Sequence, residues 1–349
     1  MKSIGAALLA IALAPLLSEG AFLDDLAAKS NRTQESPFAT GGDIILMISS
    51  SEYVHIFTNV ASASTLELPQ SVTARILCVG GGGPGGNYSN AYVLHGGGGG
   101  AGGFVEREDV KLAAGTYSIV VGRGGVPSAA NKPNNSGGDS AVITSGEIDI
   151  VRAHGGGGGG SPSSYGTLAN ADDPRCGRNG ASGGGSCAWN YGDKTGKGGN
   201  ALYEGAEGYR GGLAKGQSEG GTNNRGGGGG GAGAAGNDNN AATNPGKGGD
   251  GRSCDITGDE LWYAGGGAGG ISVAQNMSSA GGRGGGGSVA ININATKKIA
   301  ATDAVRGTGG GGYGGTMYNT GTTSVGNGAD GIVIVRVVKP SGGLVIFVR

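Results

Sequence analysis

Aromatic residues are scarce in this chain, only 5% of its positions. An excess of either charge is also missing. Lys and Arg number 25 against 26 Asp and Glu, with no long run of either sign. That balance removes the electrostatic case for nucleic acid or an anionic membrane as partner. It also leaves little self-repulsion to oppose association between copies. Histidines number three, HExxH is absent, and Gly196-Lys197 and Gly246-Lys247 are each followed by Gly where a phosphate-binding loop needs Ser or Thr. Neither a metal nor another cofactor is expected. The four cysteines, Cys78, Cys176, Cys187 and Cys254, include no CxxC pair, which argues against a zinc or thioredoxin-type site.

Long hydrophobic runs are missing too. Ile4 to Leu17 is apolar but too short to span a bilayer. Preceded by Lys2 and followed by the small residues Ser18 and Gly20, it has the form of a secretory signal, with cleavage expected before Ala21. The mature chain is then expected outside the cell, without membrane insertion. In an oxidising compartment cysteines pair by default. Cys176 and Cys187 bracket a short glycine-rich loop and are the preferred bridge. Cys78, inside an apolar strand, is expected either as a buried free thiol or paired with Cys254. Sequons stand at Asn31, Asn87, Asn134, Asn276 and Asn294, candidate glycan sites on the surface of a secreted protein.

What the chain does have is glycine, 84 of its 349 residues. Collagen is excluded, because glycine does not fall at every third position. Disorder, the usual meaning of such a composition, is opposed by the pattern. Short β-type runs recur at 44–48, 53–57, 65–68, 75–79, 104–108, 116–121, 141–144 and 148–153, then at 289–293, 332–338 and 344–348, bounded by turn residues such as Gly115 and Gly146. Between them, residues 154–287 carry glycine runs interrupted by Trp189, Tyr203, Tyr209, Leu213, Leu261, Trp262, Tyr263 and Ile271, unlike a free linker. An all-β fold follows. Its sandwich-like core comes from 43–153 and 288–338, and the glycine-rich insertion 154–287 is anchored at both ends. Ordered polyglycine has a known solution, the extended helix with three residues per turn and a rise of about 3.1 Å each. Its N–H and C=O groups point sideways and need partners when buried. Glycine lets neighbouring helices approach closely enough to supply them, so the insertion is expected as a polyglycine II-type bundle.

A family resemblance rests on the order of several segments. Residues 53–86 (YVHIFTNVASASTLELPQSVTARILCVGGGGPGG) open with a strand and run into glycine. GGGGGAGGFVEREDVKLAAGTYSIVVGRGG, GGDSAVITSGEIDIVRAHGGGGGG, LWYAGGGAGG and the closing NGADGIVIVRVV follow. In this order the chain resembles the glycine-rich domain of secreted and phage tail-type proteins, over about residues 53–338. In composition it is also similar to the glycine-rich region of certain receptor tyrosine kinases. The resemblance implies a β base carrying polyglycine helices, with adhesive or recognition roles and no catalytic residues. Residues 21–42 form an N-terminal extension to that pattern, and 339–349 add a strand beyond its usual end.

Enzyme motifs carry no weight at this glycine content. Gly216–Gly220 (GQSEG) and Gly180–Gly184 (GASGG) match the nucleophile-elbow spacing, but neither lies between a strand and a helix. His95 and His154 precede glycine runs and, with His55, would be the only histidines for a triad; strand-end packing is the simpler reading. Asp172, Asp173, Asp259 and Glu260 read as solvated loop residues. Trp189, Tyr191, Trp262 and Tyr263 could line a sugar-binding surface, with anchoring of the glycine bundle the favoured alternative. No enzyme is expected. The first expectation is a structural subunit, self-associating into a fibre or matrix through the apolar segments Leu344, Val345, Ile346, Phe347, Val348 and Ile44, Ile45, Leu46. The alternative for 344–348 is return to its own sheet. The second expectation is a monomeric adhesin that binds an extracellular glycan or protein.

Overall fold

The computed structural model describes residues 21–30, 39–88, 95–128, 134–162, 173–187, 196–214, 225–239, 246–271, 278–290, 301–317 and 323–338. One helix, α1 (Ala21–Ser30), precedes the strands β1 (Ile44–Ser49), β2 (Glu52–Phe57), β3 (Ser64–Leu68), β4 (Val72–Val79), β5 (Phe104–Leu112), β6 (Gly115–Val120), β7 (Ser140–Thr144) and β8 (Asp149–Ala153). Short strands follow: β9 (Arg252–Cys254), β10 (Leu261–Tyr263), β11 (Ser278–Ser279), β12 (Ser288–Ala290), β13 (Ala301–Thr302), β14 (Thr316–Met317) and β15 (Thr323–Ser324). The last is β16 (Ile332–Val338). The described elements are mostly strands, so the fold is all-β as the sequence led us to expect.

Two antiparallel sheets form the base. The larger has the order β1-β2-β16-β4-β5, and the smaller β3-β6-β7-β8. Strand β16 is central, with Val333 opposite both Phe57 and Cys78. Period-2 alternation sends Phe57, Ile76, Cys78, Val333 and Val335 to one face, where they meet Leu66, Ile119, Val142 and Val151 of the smaller sheet. The opposite face carries Val54, Ile56, Leu77, Val79 and Ile334, which pack against α1 and the β9–β10 hairpin. Both faces of the larger sheet are therefore covered, which explains why β2 and β16 read as almost continuous apolar runs.

The outer strands of the larger sheet differ in chemistry. Strand β5 exposes Arg107, Glu108 and Asp109 and carries a bulge opposite Arg75, where Asp109 takes a positive φ of 53°. Charge and bulge together are devices that blunt a sheet edge. Strand β1 at the other end is IILMIS, without charge.

Helix α1 is packed into the base. Phe22 and Leu26, one helical turn apart, are buried beneath α1. Phe22 meets Tyr263 edge-to-face at 5.7 Å, and Lys29 pairs with Asp259 at the hairpin.

Beyond the sheets the chain becomes glycine. Strands β4, β5, β8 and β16 each pass directly into or out of an extended glycine segment. The segment 96–103 lies among six others. Gly97, Gly100 and Gly103 donate to the carbonyls of Gly160, Gly157 and His154 at 2.9, 2.8 and 2.8 Å. Gly98 and Ala101 donate to Gly227 and Gly230, and Gly99 and Gly102 to Gly312 and Gly309. Its own carbonyls receive N–H groups from Gly80, Gly83 and Gly86, from Ser182 and Gly185, and from Gly267 and Gly270. Every third residue thus addresses the same neighbour. Segments from 80–86, 122–125 and 307–315 take part alongside those of 154–287, so the array extends past both boundaries expected for an insertion.

Close approach is what requires glycine here. A Cβ built on Gly99 would overlap the Gly83 carbonyl oxygen, and one on Gly98 that of Gly267. Ordering a residue's backbone costs about 1–2 kcal/mol, most for glycine. A lateral hydrogen bond returns about 1 kcal/mol net, and leaving a buried one unmade costs about 1–3 kcal/mol. The array is therefore stable only as a nearly complete set of bonds on a preformed base.

Candidate functional site

Where the chain turns between glycine segments, polar side chains take over from backbone partners. Asn134 is buried; its Nδ2 donates to the carbonyls of Gly85 at 3.0 Å and Gly159 at 2.7 Å, and its Oδ1 accepts from Ser128 N–H at 2.8 Å. Ser161 Oγ accepts from Asn87 N–H at 3.0 Å. Asn239 Nδ2 donates to the Arg225 carbonyl at 3.1 Å, and Thr316 Oγ1 accepts from Ile271 N–H at 3.3 Å. These side chains do at segment ends what the next glycine does inside the array. A sequence signal existed, a single Asn, Ser or Thr beside each glycine run, but sequon and composition readings obscured it.

One recess of about 660 Å³ opens between the segments around Asn134, Cys176 and Lys197. Asn135, Ser136, Arg178, Asn179, Lys197 and Asn200 line it over glycine backbone at Gly177 and Gly198. Two hydrogen bonds fix its walls: Gly177 N–H to the Lys197 carbonyl at 2.9 Å, and Asn200 N–H to Asn179 Oδ1 at 2.8 Å. Among the described residues none of those lining it is a carboxylate. Asp173, expected in solvent, is instead buried against Arg175, whose Nε lies 2.8 Å from the carboxylate. A buried carboxylate requires such a partner.

A second recess, about 520 Å³, lies where residues 203–207 meet the sheet, between Phe104, Arg107, Arg152, Tyr203, Glu207 and Arg252. The buried Glu207 carboxylate accepts from His154 N–H at 2.9 Å and pairs with His154 Nδ1 at 2.9 Å. Tyr203 lies against the His154 ring at 5.0 Å, and Arg252 donates to the Ala206 carbonyl at 3.0 Å. With its carboxylate so occupied, Glu207 serves as a latch between the first residue after β8 and this turn.

The other histidines are packed groups. His55 is buried in β2 with Nδ1 2.7 Å from the Gly41 carbonyl oxygen. His95 is buried beside Tyr88, with ring centroids 5.2 Å apart. Burial drives the His95 pKa down to about 3, aided by Arg225, while a backbone contact with Gly315 opposes the shift. Ser182, in the GASGG match, is buried within the glycine array; Gly216–Gly220 lies outside the described residues.

The cysteine expectations need correction, since all four are free thiols. Cys176 Sγ accepts from Lys197 N–H at 3.4 Å, while Cys187 is buried with its N–H bonded to the Arg175 carbonyl, so backbone contacts occupy the neighbourhood of the expected bridge. Cys78 lies in the core between the sheets and Cys254 in the core on the opposite face. The larger sheet separates them, which leaves Cys78 as a buried free thiol.

Among the candidate glycan sites, Asn134 has no room for a sugar because its amide is used within the fold. Asn87 is half-buried with its Nδ2 bonded to the Ser128 carbonyl. Asn31, Asn276 and Asn294 lie outside the described residues. Of the aromatics, Tyr263 is fully buried against Phe22 and Phe104 and is an anchor, not a ligand platform. Trp262 is half-buried beneath the Arg283 guanidinium, 4.6 Å from the ring centroid. Trp189 and Tyr191 lie outside the described residues, as do Leu344, Val345, Ile346, Phe347 and Val348. Ile44, Ile45 and Leu46 fall in β1, with Leu46 buried. Among the described residues no group of His, Cys, Asp and Glu could hold a metal, and no helix is long and apolar enough to cross a membrane.

The model of a family described as the glycine-rich domain matches residues 58–338, well over half of the chain. The chain belongs to the glycine-rich domain family. Within this glycine-rich domain the match opens just after β2 and closes on Val338, the last residue of β16. Helix α1 and strands β1 and β2 are outside it, although their side chains fill both cores. No curated protein matches the chain.

Proposed function

We propose that this glycine-rich domain protein is a secreted, non-catalytic structural subunit: a rigid body with a sandwich-like β base and a polyglycine II-type bundle. The observation that supports it is the threefold bonding of segment 96–103 to its six neighbours. That periodicity is the one a helix of three residues per turn produces. A body cross-linked this way through its backbone suits bearing load or holding shape better than turnover, which needs moving parts. Export through residues 1–20, with glycans at the sequons other than Asn134, completes the reading.

In this reading copies associate through their end strands. Val338, the last residue of β16, pairs with Glu52 beside the β1–β2 turn, so β16 ends close to β1. An uncharged β1 and the apolar segment 344–348 are suited to strand addition between copies, joined head-to-tail. Electron microscopy of the protein from Ala21 onward, over a range of concentrations, tests this. Ordered filaments are expected, lost on truncation after Lys339 with circular dichroism unchanged. Discrete particles at every concentration would reject assembly and favour a monomeric binding module.

A further inference from the structure

The recess around Asn134, Cys176 and Lys197 has a composition of its own. Its lining offers side-chain amides from Asn135, Asn179 and Asn200, a hydroxyl from Ser136, and positive charge from Arg178 and Lys197. Lys197 and the three asparagines are exposed, and Lys197 forms no ion pair among the described residues. The nearby carboxylate of Asp173 is committed to Arg175 in a buried pair, so it does not neutralise the lining. The floor is glycine backbone at Gly177 and Gly198, which lets a ligand lie close to the main chain.

Amides both donate and accept, as a polyhydroxylated ligand requires, whereas lysine and arginine only donate. The combination calls for many hydroxyls together with negative charge. At about 660 Å³ the recess falls in the range of small-ligand sites. Among the described residues no aromatic side chain lines it, which disfavours single-stranded nucleic acid, whose bases need stacking platforms. An apolar ligand would leave these amides desolvated and unpaired. We propose that the recess is a binding site for an acidic oligosaccharide, one bearing carboxylate or sulfate groups. Lys197 faces the charge, and Asn135, Asn179 and Asn200 bond the hydroxyls. The site is independent of the end strands, so it holds whether or not copies assemble.

Cys176, half-exposed in the wall, supplies a built-in reporter, because an occupied recess slows its labelling by a maleimide. The test uses the full chain from Ala21. A sulfated chondroitin-type oligosaccharide, an oligogalacturonate, a neutral cello-oligosaccharide and single-stranded DNA are compared by calorimetry and by Cys176 labelling rate. At least one acidic sugar is expected to bind and to protect Cys176, with the neutral sugar far weaker. Lys197→Glu, an exposed change, should weaken binding roughly tenfold, and Asn135→Ala should weaken it with circular dichroism unchanged. The proposal is overturned if neither acidic sugar binds, if binding leaves Cys176 labelling and the Lys197→Glu affinity unaltered, or if DNA binds as tightly as the sugars.

Discussion

A glycine at the centre of the array and a glycine in a surface turn look identical in the sequence and behave oppositely in the structure. At Gly99 an added methyl group overlaps the Gly83 carbonyl, which belongs to another segment and cannot withdraw without breaking its neighbours' bonds. Gly99→Ala should therefore cost about 1–3 kcal/mol, as overpacking does. At Gly146, in the turn after β7, the nearest atom to such a methyl is the Thr144 hydroxyl at 3.8 Å. Gly146→Ala should be neutral, or stabilise by up to about 1 kcal/mol by restricting the unfolded chain. Urea unfolding of both variants decides the matter, and equal midpoints would mean that the array tolerates side chains.

Histidine gives the second residue-scale expectation. The folded pKa of His95 is about 3, against 6.5 when unfolded, so between these values the unfolded chain takes up a proton that the native one refuses. Stability is then full above about pH 6.5. It falls as the pH drops towards 3, by up to about 1.4 kcal/mol per unit. The buried His55, also shifted downward by desolvation, adds to the same slope. Melting temperature followed from pH 7 to pH 4.5 should decline less steeply in His95→Gln than in the wild type; parallel slopes would show that His95 is solvated.

At the scale of elements, the strands were legible and their partners less so. Runs rich in Val and Ile located β1, β2 and β16 within a residue, and β4 apart from its first three residues, because a half-buried pleat selects those side chains. Helix α1 escaped notice. Its ten residues bury little more than Phe22 and Leu26, too short a pattern to separate from an N-terminal tail. The β9–β10 hairpin escaped because its strands span three residues each. Glycine segments show no periodicity at all, so their register became visible only in the pattern of hydrogen bonds. The cysteine spacing pointed to a bridge that the backbone around Arg175 and Lys197 does not form. The polar recess drew its residues from three separate segments, and nothing in one sequence could have joined them.

Helix α1 also makes an element-scale prediction. It lies outside the family match, yet Leu26 is 1% exposed beneath it. Leu26→Ala should destabilise the whole base by about 2–5 kcal/mol, whereas Ala27→Ser on the exposed side should change nothing. A Leu26→Ala unfolding midpoint matching the wild type would mean that α1 is an ornament and that the sheet face is adequately covered without it.

For the whole molecule, the informative feature is which segments meet. Segment 96–103 bonds to 80–86 close by in sequence, but also to 227–230, 267–270 and 309–312. Strand β16, the last described, enters the middle of the sheet between β2 and β4. No early portion of the chain contains a complete set of partners for itself. Topologies dominated by such distant contacts fold slowly, because loop closure is incurred before the contacts return any free energy. A chain emerging from a ribosome would thus hold dozens of unpartnered glycines until β16 was released. Glycine is well suited to that wait, since it offers almost no apolar surface for premature aggregation. The same residue that makes the finished array so dense keeps the nascent chain harmless until it can close.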